Sequence, residues 1–492
     1  MVLKNKNVLI FGLGILGGGL ANVEFFIKNK SKIRITDLKK IDELKNQIKI
    51  INRLKEKYKY PHKIKYTLGS HNYEDFDWAE IIVVNPAISY KNNFIKCAKK
   101  KNKIIINDCY LFFKLVNTDI IAITGTRGKT TTSFLTYQLF KKFFDKNIVL
   151  GGNQPTRGLL KLIDEPSNLF VLEISSFQLE FYKKKLKAPK ISIITNLYED
   201  HLDRYATMEE YASIKAKIFL NQTKKDFLIL NYDNDWTKFF LKFKPQSQTF
   251  YVSQKIIGNN LNGIFYQKDK IIIKHKSQLI KLTPNKKLKY LGVHNLYNLL
   301  NSILALYLYS YEKNIKINWS LLEKYLNKLN LPEFRQQIIY QGNNLSIIND
   351  SASTTPQATI EAIKRFHQAN HNLILIVGGK DKNLNFQELA KSIKQKVEPQ
   401  NLIILSGTAS QKIIKELNKI NYNLDKYNIF DDLRDCLNKA LELTKENKKH
   451  NIILFSPAGS SFEKFKNEFD RGKKFNLLVK RLIKNEKNTN RN

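Results

Sequence analysis

Cysteine is nearly absent. Only Cys97, Cys109 and Cys436 occur in 492 residues, far apart and without a C-x-x-C spacing. Neither a disulfide framework nor a cysteine-rich zinc site can be built from them, and a reducing, cytoplasmic setting is expected. Long apolar runs are missing as well. None approaches the ~20 residues a membrane span requires, so no membrane insertion is expected. Acidic residues are outnumbered, 44 against 83 basic ones, giving a formal charge of +39. Such an excess can signal nucleic acid or an anionic surface. Yet the lysines are spread along the whole chain among Asn and Ile, and no dense basic block interleaves with aromatics as a single-strand-binding platform needs. The excess reads as a solvated lysine surface whose field gathers small anionic substrates, with no nucleic acid as partner.

What is present suits a multidomain enzyme. Hydrophobic residues at 42% and aromatics at 11% suffice for packed cores, and the length exceeds one ordinary core. The fold class is α/β, read as three consecutive doubly wound domains: an N-terminal Rossmann-like one over 1–107, a central P-loop ATPase-like one over 108–329 and a C-terminal Rossmann-like one over 330–484. The polar residues 485–492 have nothing to pack and are expected to be disordered.

The first stretch opens with the strand "NVLIF", then "GLGILGGG", where Gly12, Gly14 and Gly17 form G-x-G-x-x-G around Ile15 and Leu16. A helix "GLANVEFFIKNK" and the strand "KIRITD", ending at Asp37, follow. Such glycines let the backbone approach a pyrophosphate, the helix N-terminus supplies aligned N–H groups, and an acid about 20 residues on suits a ribose or base contact. Early lysines and an apolar stretch also resemble a signal peptide; the strand–turn–helix–strand order favours the nucleotide turn. Ile41, Leu44, Ile48, Ile51 and Leu54 mark the apolar face of the next helix.

The second stretch holds "TGTRGKTT", residues 124–131, between the apolar run "DIIAI" and a helix. Ile123 stands where the full Walker pattern has its first glycine, so this is a shortened P-loop. Backbone N–H groups of Gly125, Thr126, Arg127, Gly128 and Lys129 form a nest for phosphate oxygens. Lys129 can reach the β- and γ-phosphates and Thr130, followed by Thr131, can hold Mg²⁺. The bland alternative is a tight glycine turn with a solvated lysine. Downstream, the apolar strand "LFVLE" meets its first charge at Glu173, and "ISIITNLYEDHLDRY" breaks into Glu199, Asp200, His201 and Asp203. In a parallel sheet the C-terminal strand ends face the ligand crevice, and Mg²⁺ takes carboxylates plus phosphates. Glu173 and His201 are therefore metal-ligand candidates, with helix capping as the competing role for Asp200 and Asp203. "GIFYQKDKIIIKHKSQLIKL" reads as an antiparallel ribbon and "HNLYNLLNSILALYLY" as a buried helix. In the third stretch "LSIIND", "NLILIVGGKDKN", "NLIILSG" and "NIILFSPAGSSFEKF" are apolar strands ending in polar or glycine turns.

Taken together, "TGTRGKTT", "LEISSFQLE", "EDHLDRY", "GVHNLYN", the "NDS" of 349–351 and "SPAGSSFEKFKN" occur in an order and spacing that resembles the Mur ligases over nearly the whole chain, in particular their glutamate-adding branch. The resemblance implies that ATP phosphorylates the alanine carboxylate of UDP-N-acetylmuramoyl-L-alanine and that glutamate's amine attacks the acyl phosphate, in peptidoglycan synthesis by a monomer. It implies phosphate and Mg²⁺ roles for Lys129 and Thr130, metal ligation by Glu173 and His201, and a carbamylated Lys215. Adenine and ribose would meet Asn295, Asn298 and Asp350. UDP would sit on Gly14 to Gly17 and Asp37, and the muramoyl side would contact Asn153, with Ser175 also in the substrate site. Lys382 and Ser461 would receive glutamate. The chain departs from the family pattern at four places. Arg127 replaces an asparagine, "LPEFRQQ" replaces "LPHRFE", leaving Arg335 one residue out of register, Ala352 replaces a lysine, and Glu468 replaces an aromatic beside Phe469. These leave D-glutamate, L-glutamate or another amino acid open as acceptor. A folylpolyglutamate-type ligase and a basic nucleic-acid-binding ATPase are the remaining alternatives.

Overall fold

A computed structural model of the chain describes all residues except 1–2, 16, 145–146, 154–157, 285–291, 425–427, 446–448, 462 and 490–492, and only the backbone of residues 293 and 484–489. Leu16 thus lies outside the described residues. The first sheet holds β1 (Asn7–Phe11), β2 (Lys32–Asp37), β3 (Lys65–Leu68), β4 (Ile81–Val84) and β5 (Ile104–Ile106) in the order β3-β2-β1-β4-β5, all parallel. Helices cover such sheets on both faces, which is why β4 is a continuous apolar run rather than an alternating one. Chain order reverses between β1 and β4, so the glycine turn after β1 opens at the switch point where such sheets bind ligands. In the helix Ile41–Lys57, Leu44 and Ile51 are buried as expected, but Ile41 is 58% exposed because the first turn projects past the packed face.

The second sheet is larger. It contains β6 (Asp119–Thr124), β7 (Ile148–Gly152), β8 (Leu169–Glu173), β9 (Ile191–Ile194), β10 (Phe227–Asn231), β11 (Gln248–Ser253), β12 (Gly263–Gln267), β13 (Lys270–His275) and β14 (Gln278–Leu282). Its order is β14-β13-β12-β11-β10-β9-β6-β8-β7, parallel from β7 through β12 and antiparallel along β12, β13 and β14, the expected ribbon. The helix Val293–Glu312 lies against the helix Lys129–Phe143, joined by a Thr136 to Ser302 hydroxyl bond of 3.0 Å.

The third sheet holds β15 (Gln337–Gln341), β16 (Leu345–Asn349), β17 (His371–Gly378), β18 (Leu402–Leu405), β19 (Ile429–Phe430) and β20 (His450–Ala458), ordered β15-β16-β20-β17-β18-β19 with only β15 antiparallel. The first two sheets belong to one compact unit and the residues from 330 onward to a second. One expectation is corrected in part: residues 485–489 continue the helix Glu468–Thr489, while 490–492 lie outside the described residues. The segment from 485 contains no proline or glycine to stop a helix already anchored by Phe475 and Val479 in the core.

Candidate phosphate-transfer site

Strand β6 ends at Thr124, and the turn that follows bends only because glycine occupies its two left-handed positions, Gly125 (φ 147) and Gly128 (φ 82). A Cβ on Gly125 would lie 1.9 Å from Thr195 Oγ1, and one on Gly128 2.4 Å from Asn298 Oδ1. The loop is held from β9's side. Thr126 N donates to Asn196 O at 3.0 Å, Arg127 N to Asn196 Oδ1 at 2.9 Å, and Thr195 Oγ1 to Arg127 O at 2.6 Å. Lys129 folds back over the turn, its Nζ donating to the carbonyls of Gly125 (3.1 Å) and Thr126 (3.0 Å). That places a cation at the mouth of a nest of backbone N–H groups and at the start of the helix Lys129–Phe143, an arrangement made for anionic oxygens. Thr130 and Thr131 sit on that helix's first turn.

Six further expected residues lie in this domain. Glu173 ends β8, next to β6 in the sheet, and is buried. Its Oε1 accepts from Asn153 Nδ2 at 3.3 Å, while Oε2 is buried with no hydrogen-bond partner. His201 sits at φ 56, its ring packed on Phe177 (4.8 Å) and Tyr211 (5.8 Å). Burial lowers its pKa, as do the charges of Lys215 and Lys129, while Asp200 opposes them. Lys215 is 1% exposed. Its Nζ donates to Gly125 O at 2.9 Å and lies over the Tyr211 ring at 4.5 Å. Burial, and then the charge of Lys129, push its pKa well below the ordinary lysine value, so its amine is held toward the neutral, nucleophilic form. Asn295 and Asn298 are buried on the helix Val293–Glu312; Asn298 Nδ2 donates to Asn295 Oδ1 at 3.1 Å, and Thr132 Oγ1 donates to Asn298 Oδ1 at 3.1 Å. Ser175 caps the short helix Ser176–Leu179 in a reciprocal pairing with Gln178.

No group of three or more His, Cys, Asp or Glu poised for a metal exists among the described residues. The orphaned Glu173 Oε2, at the C-terminal end of the strand beside β6, still fits Mg²⁺, which keeps few protein ligands and takes the rest from phosphates and water.

In the first sheet, Gly14 N donates to Asp37 Oδ2 at 2.8 Å, so the acid braces the glycine turn; Gly14 (φ 59) and Gly17 (φ 94) are left-handed, and Ile15 is exposed. In the second unit, the turns after β16, β20 and β17 come together. Ala458 N donates to Ser353 O at 3.0 Å, and Lys380 and Ser460 pair through both backbone groups. Lys382 is exposed there, and Ser461 Oγ is buried without a partner. Asp350 is engaged internally: Oδ1 accepts from Gln336 N at 2.9 Å, and Oδ2 from Ser353 (2.5 Å) and Ser456 (2.7 Å). Sequence reasoning missed Arg471, 1% exposed, whose guanidinium donates to Ser351 O at 2.8 Å and Gly459 O at 3.1 Å beneath the same turns.

The profile for the Mur ligase middle domain matches residues 123–306, the one for the MurD-like N-terminal domain 6–107, and the one for the Mur ligase glutamate ligase domain 334–459. A UDP-N-acetylmuramoylalanine--D-glutamate ligase of Borreliella afzelii is 34% identical over 490 residues, covering 98% of this chain and 99% of its own length. The chain belongs to the Mur ligases. A ligase of the same name from Clostridioides difficile is also 34% identical, over 484 residues, with 98% of this chain and 100% of that protein covered. Among solved structures, a UDP-N-acetylmuramate-alanine ligase of Thermotoga maritima superposes with a TM-score of 0.55 at 18% identity, covering 97% of this chain and 99% of that one. A MurF ligase of the same organism, in complex with ADP, gives 0.53 at 17% identity over 82% and 90% of the two chains. At these identities both speak for the fold alone. No described helix is long and apolar enough to cross a membrane.

Proposed function

We propose that this Mur ligase is an ATP-dependent acid–amino-acid ligase that joins D-glutamate to UDP-N-acetylmuramoyl-L-alanine, a step of peptidoglycan precursor synthesis. The observation that carries this reading is a glycine turn closed by Lys129, with buried Lys215 bonded to its Gly125 carbonyl, buried Glu173 at the end of the neighbouring strand and a partly exposed His201 within the field of both lysines. A carboxylate resists amine attack because its leaving group would be oxide. Its oxygen therefore attacks the γ-phosphorus of ATP and ADP departs, leaving an acyl phosphate. Glutamate's amine then adds to the acyl carbon, the tetrahedral adduct expels phosphate, and the amine's proton is released.

The turn's N–H groups and Lys129 neutralise charge that builds on the transferring phosphoryl group. Thr130, Glu173 and His201 would hold Mg²⁺, which supplies further charge neutralisation and alignment of phosphate with carboxylate. Among the described residues Lys215 forms no ion pair, and burial holds it toward a neutral amine, the form that adds CO₂ to give a carbamate and a proton; the two carbamate oxygens would make it anionic support for the metal. The first domain would hold UDP through Gly14 to Gly17 and Asp37, and Asn153 would face the muramoyl side. The third would receive glutamate at Lys382 and Ser461. Ala352, standing where the family carries a lysine, favours a second reading in which L-glutamate is the acceptor.

The test is ATP-dependent phosphate release with UDP-N-acetylmuramoyl-L-alanine and D-glutamate, L-glutamate or D-aspartate, together with borohydride trapping of the acyl phosphate when no amino acid is present. Release that depends on D-glutamate, with the trapped alcohol, is expected. Release indifferent to the nucleotide sugar overturns the reading.

A further inference from the structure

Arg204 ties the turn after β4 to the loop that carries His201. Its Nε and Nη2 each donate to a Glu180 carboxylate oxygen at 2.7 Å, with Glu180 fully buried and Arg204 nearly so. The remaining donors leave the second sheet's side altogether: Nη1 reaches Ala87 O at 3.1 Å and Nη2 reaches Ile88 O at 2.9 Å. Those carbonyls belong to the turn after β4, which lies directly on the glycine turn after β1. Asn85 Nδ2 donates to Gly12 O at 3.1 Å, and a Cβ on Gly12 would sit 2.9 Å from both Asn85 Cβ and Ile88 Cδ1. At its other end the guanidinium lies 4.2 Å over the Phe177 ring, which packs on His201. The backbone N–H of Arg204 also donates to His201 O at 3.0 Å, within the turn that holds His201 left-handed. Tyr90 adds a second fastening of the same loop, its hydroxyl donating to Glu210.

We infer that Arg204 is a positioning residue that sets the span between the nucleotide-gripping turn of the first domain and the phosphate-transfer centre at His201. The inference rests on the ligase reading above. A simple interdomain staple would need only charge and contact. Here one rigid fork fixes the backbone beside the glycine turn and the ring behind His201 at once, and lysine cannot reproduce that geometry. A substrate held at its uridine end presents its carboxylate correctly only if this span is correct, and small misplacements cost rate steeply. A substrate shortened to N-acetylmuramoyl-L-alanine, without uridine or pyrophosphate, is not held by the glycine turn, so the span is irrelevant to it.

The experiment compares wild type and R204K on UDP-N-acetylmuramoyl-L-alanine and, at high concentration, on N-acetylmuramoyl-L-alanine, which has no phosphate, with melting temperature and the KM for ATP as controls. We expect R204K to lose at least tenfold in kcat/KM on the full substrate and less than threefold on the short one, with the KM for ATP unchanged. Equal losses on both substrates, or none on either, overturn the inference. Should R204K not fold, Y90F, which loosens the second fastening, is expected to give the same asymmetry at smaller size, and symmetric kinetics overturn the inference there too. A wild-type enzyme inactive on the full substrate would sink the ligase reading itself, a result distinct from symmetric losses in an active enzyme.

Discussion

Gly128→Ala tests the phosphate cradle more sharply than removing a charge, because the structure says what the added methyl would strike. Gly128 has φ 82, and its new Cβ would lie 2.4 Å from Asn298 Oδ1. Holding an L-residue in the left-handed region costs roughly 1–2 kcal/mol. Forcing a methyl into a packed site adds roughly 1–3 kcal/mol. Asn298 is buried and its Oδ1 already accepts from Thr132, so displacing it forfeits a hydrogen bond of about 1 kcal/mol. Together the loss should be of the order of 3–6 kcal/mol, or roughly 6–24 °C in melting temperature for a domain of this size. Urea denaturation gives the stability and steady-state kinetics the KM for ATP, which should rise as the turn distorts. Gly158→Ala is the control: nothing lies within 4 Å of its Cβ and its φ is −63, so it should stay within about 0.5 kcal/mol of wild type. In an Asn298→Ala background the clash disappears, and the cost of Gly128→Ala should shrink by about 1 kcal/mol or more. A Gly128→Ala protein as stable as wild type with an unchanged KM for ATP would refute the argument.

Lys215→Met should be nearly inactive in phosphate release yet no less stable than wild type, since it removes a buried amine with one hydrogen bond; Lys215→Ala should regain some activity with a short carboxylate, and a fully active variant would make this lysine a bystander. Burial pushes the Asp350 carboxyl from 3.8 up to about 6. The native state therefore keeps a proton that the unfolded chain has lost, and Asp350's contribution, full below pH ~4, falls by about 3 kcal/mol as pH rises to about 6; denaturation of wild type and Asp350→Asn across that window should show their difference changing, and a flat difference would contradict it. Lys382→Ala should raise the KM for the amino acid, and Ala352→Lys should shift discrimination between D- and L-glutamate; unchanged amino-acid kinetics in both would move the acceptor site elsewhere.

Strand ends were the legible part of the sequence. Glu173 is the first charge after an apolar run, and the run does end there because a parallel strand covered on both faces tolerates no earlier one. The same logic singled out His201, while glycine spacing marked the two turns. What stayed hidden is set by three-dimensional closure. Nothing local to "YASIKAKIF" says that Lys215 is buried with a depressed pKa, because its neighbours Gly125 and Lys129 lie far away in sequence. For Asp350 the resemblance implied only a nucleotide contact, and nothing local to "LSIIND" says that two serines and a backbone N–H meet its oxygens. Ile41 followed the helical period, but the helix extends one turn beyond its support.

A usable signal for part of this lay in the choice of cation. Lysine carries most of the positive charge and is largely solvated, because its long flexible stem lets the ammonium stay in water. Arginine is costlier to interchange where several acceptors must be met at fixed angles. Arg204 and Arg471 both sit at such places, each meeting backbone carbonyls from distant segments. The case of Arg471 bears on the acceptor. Burial lowers its pKa to about 10, with Glu468 and then Asp350 opposing the shift, so it stays charged at neutral pH. Its hydrogen bonds go to Ser351 and Gly459, neutral groups in the turns that frame Lys382 and Ser461. A cation hydrogen-bonded only to neutral groups in a low-dielectric setting projects its field further than a solvated one. Arg471, its charge partly offset by Glu468 and Asp350, still places a cation against these turns although Ala352 supplies none, which is why Ala352→Lys is expected to tune discrimination between glutamate isomers rather than to create binding.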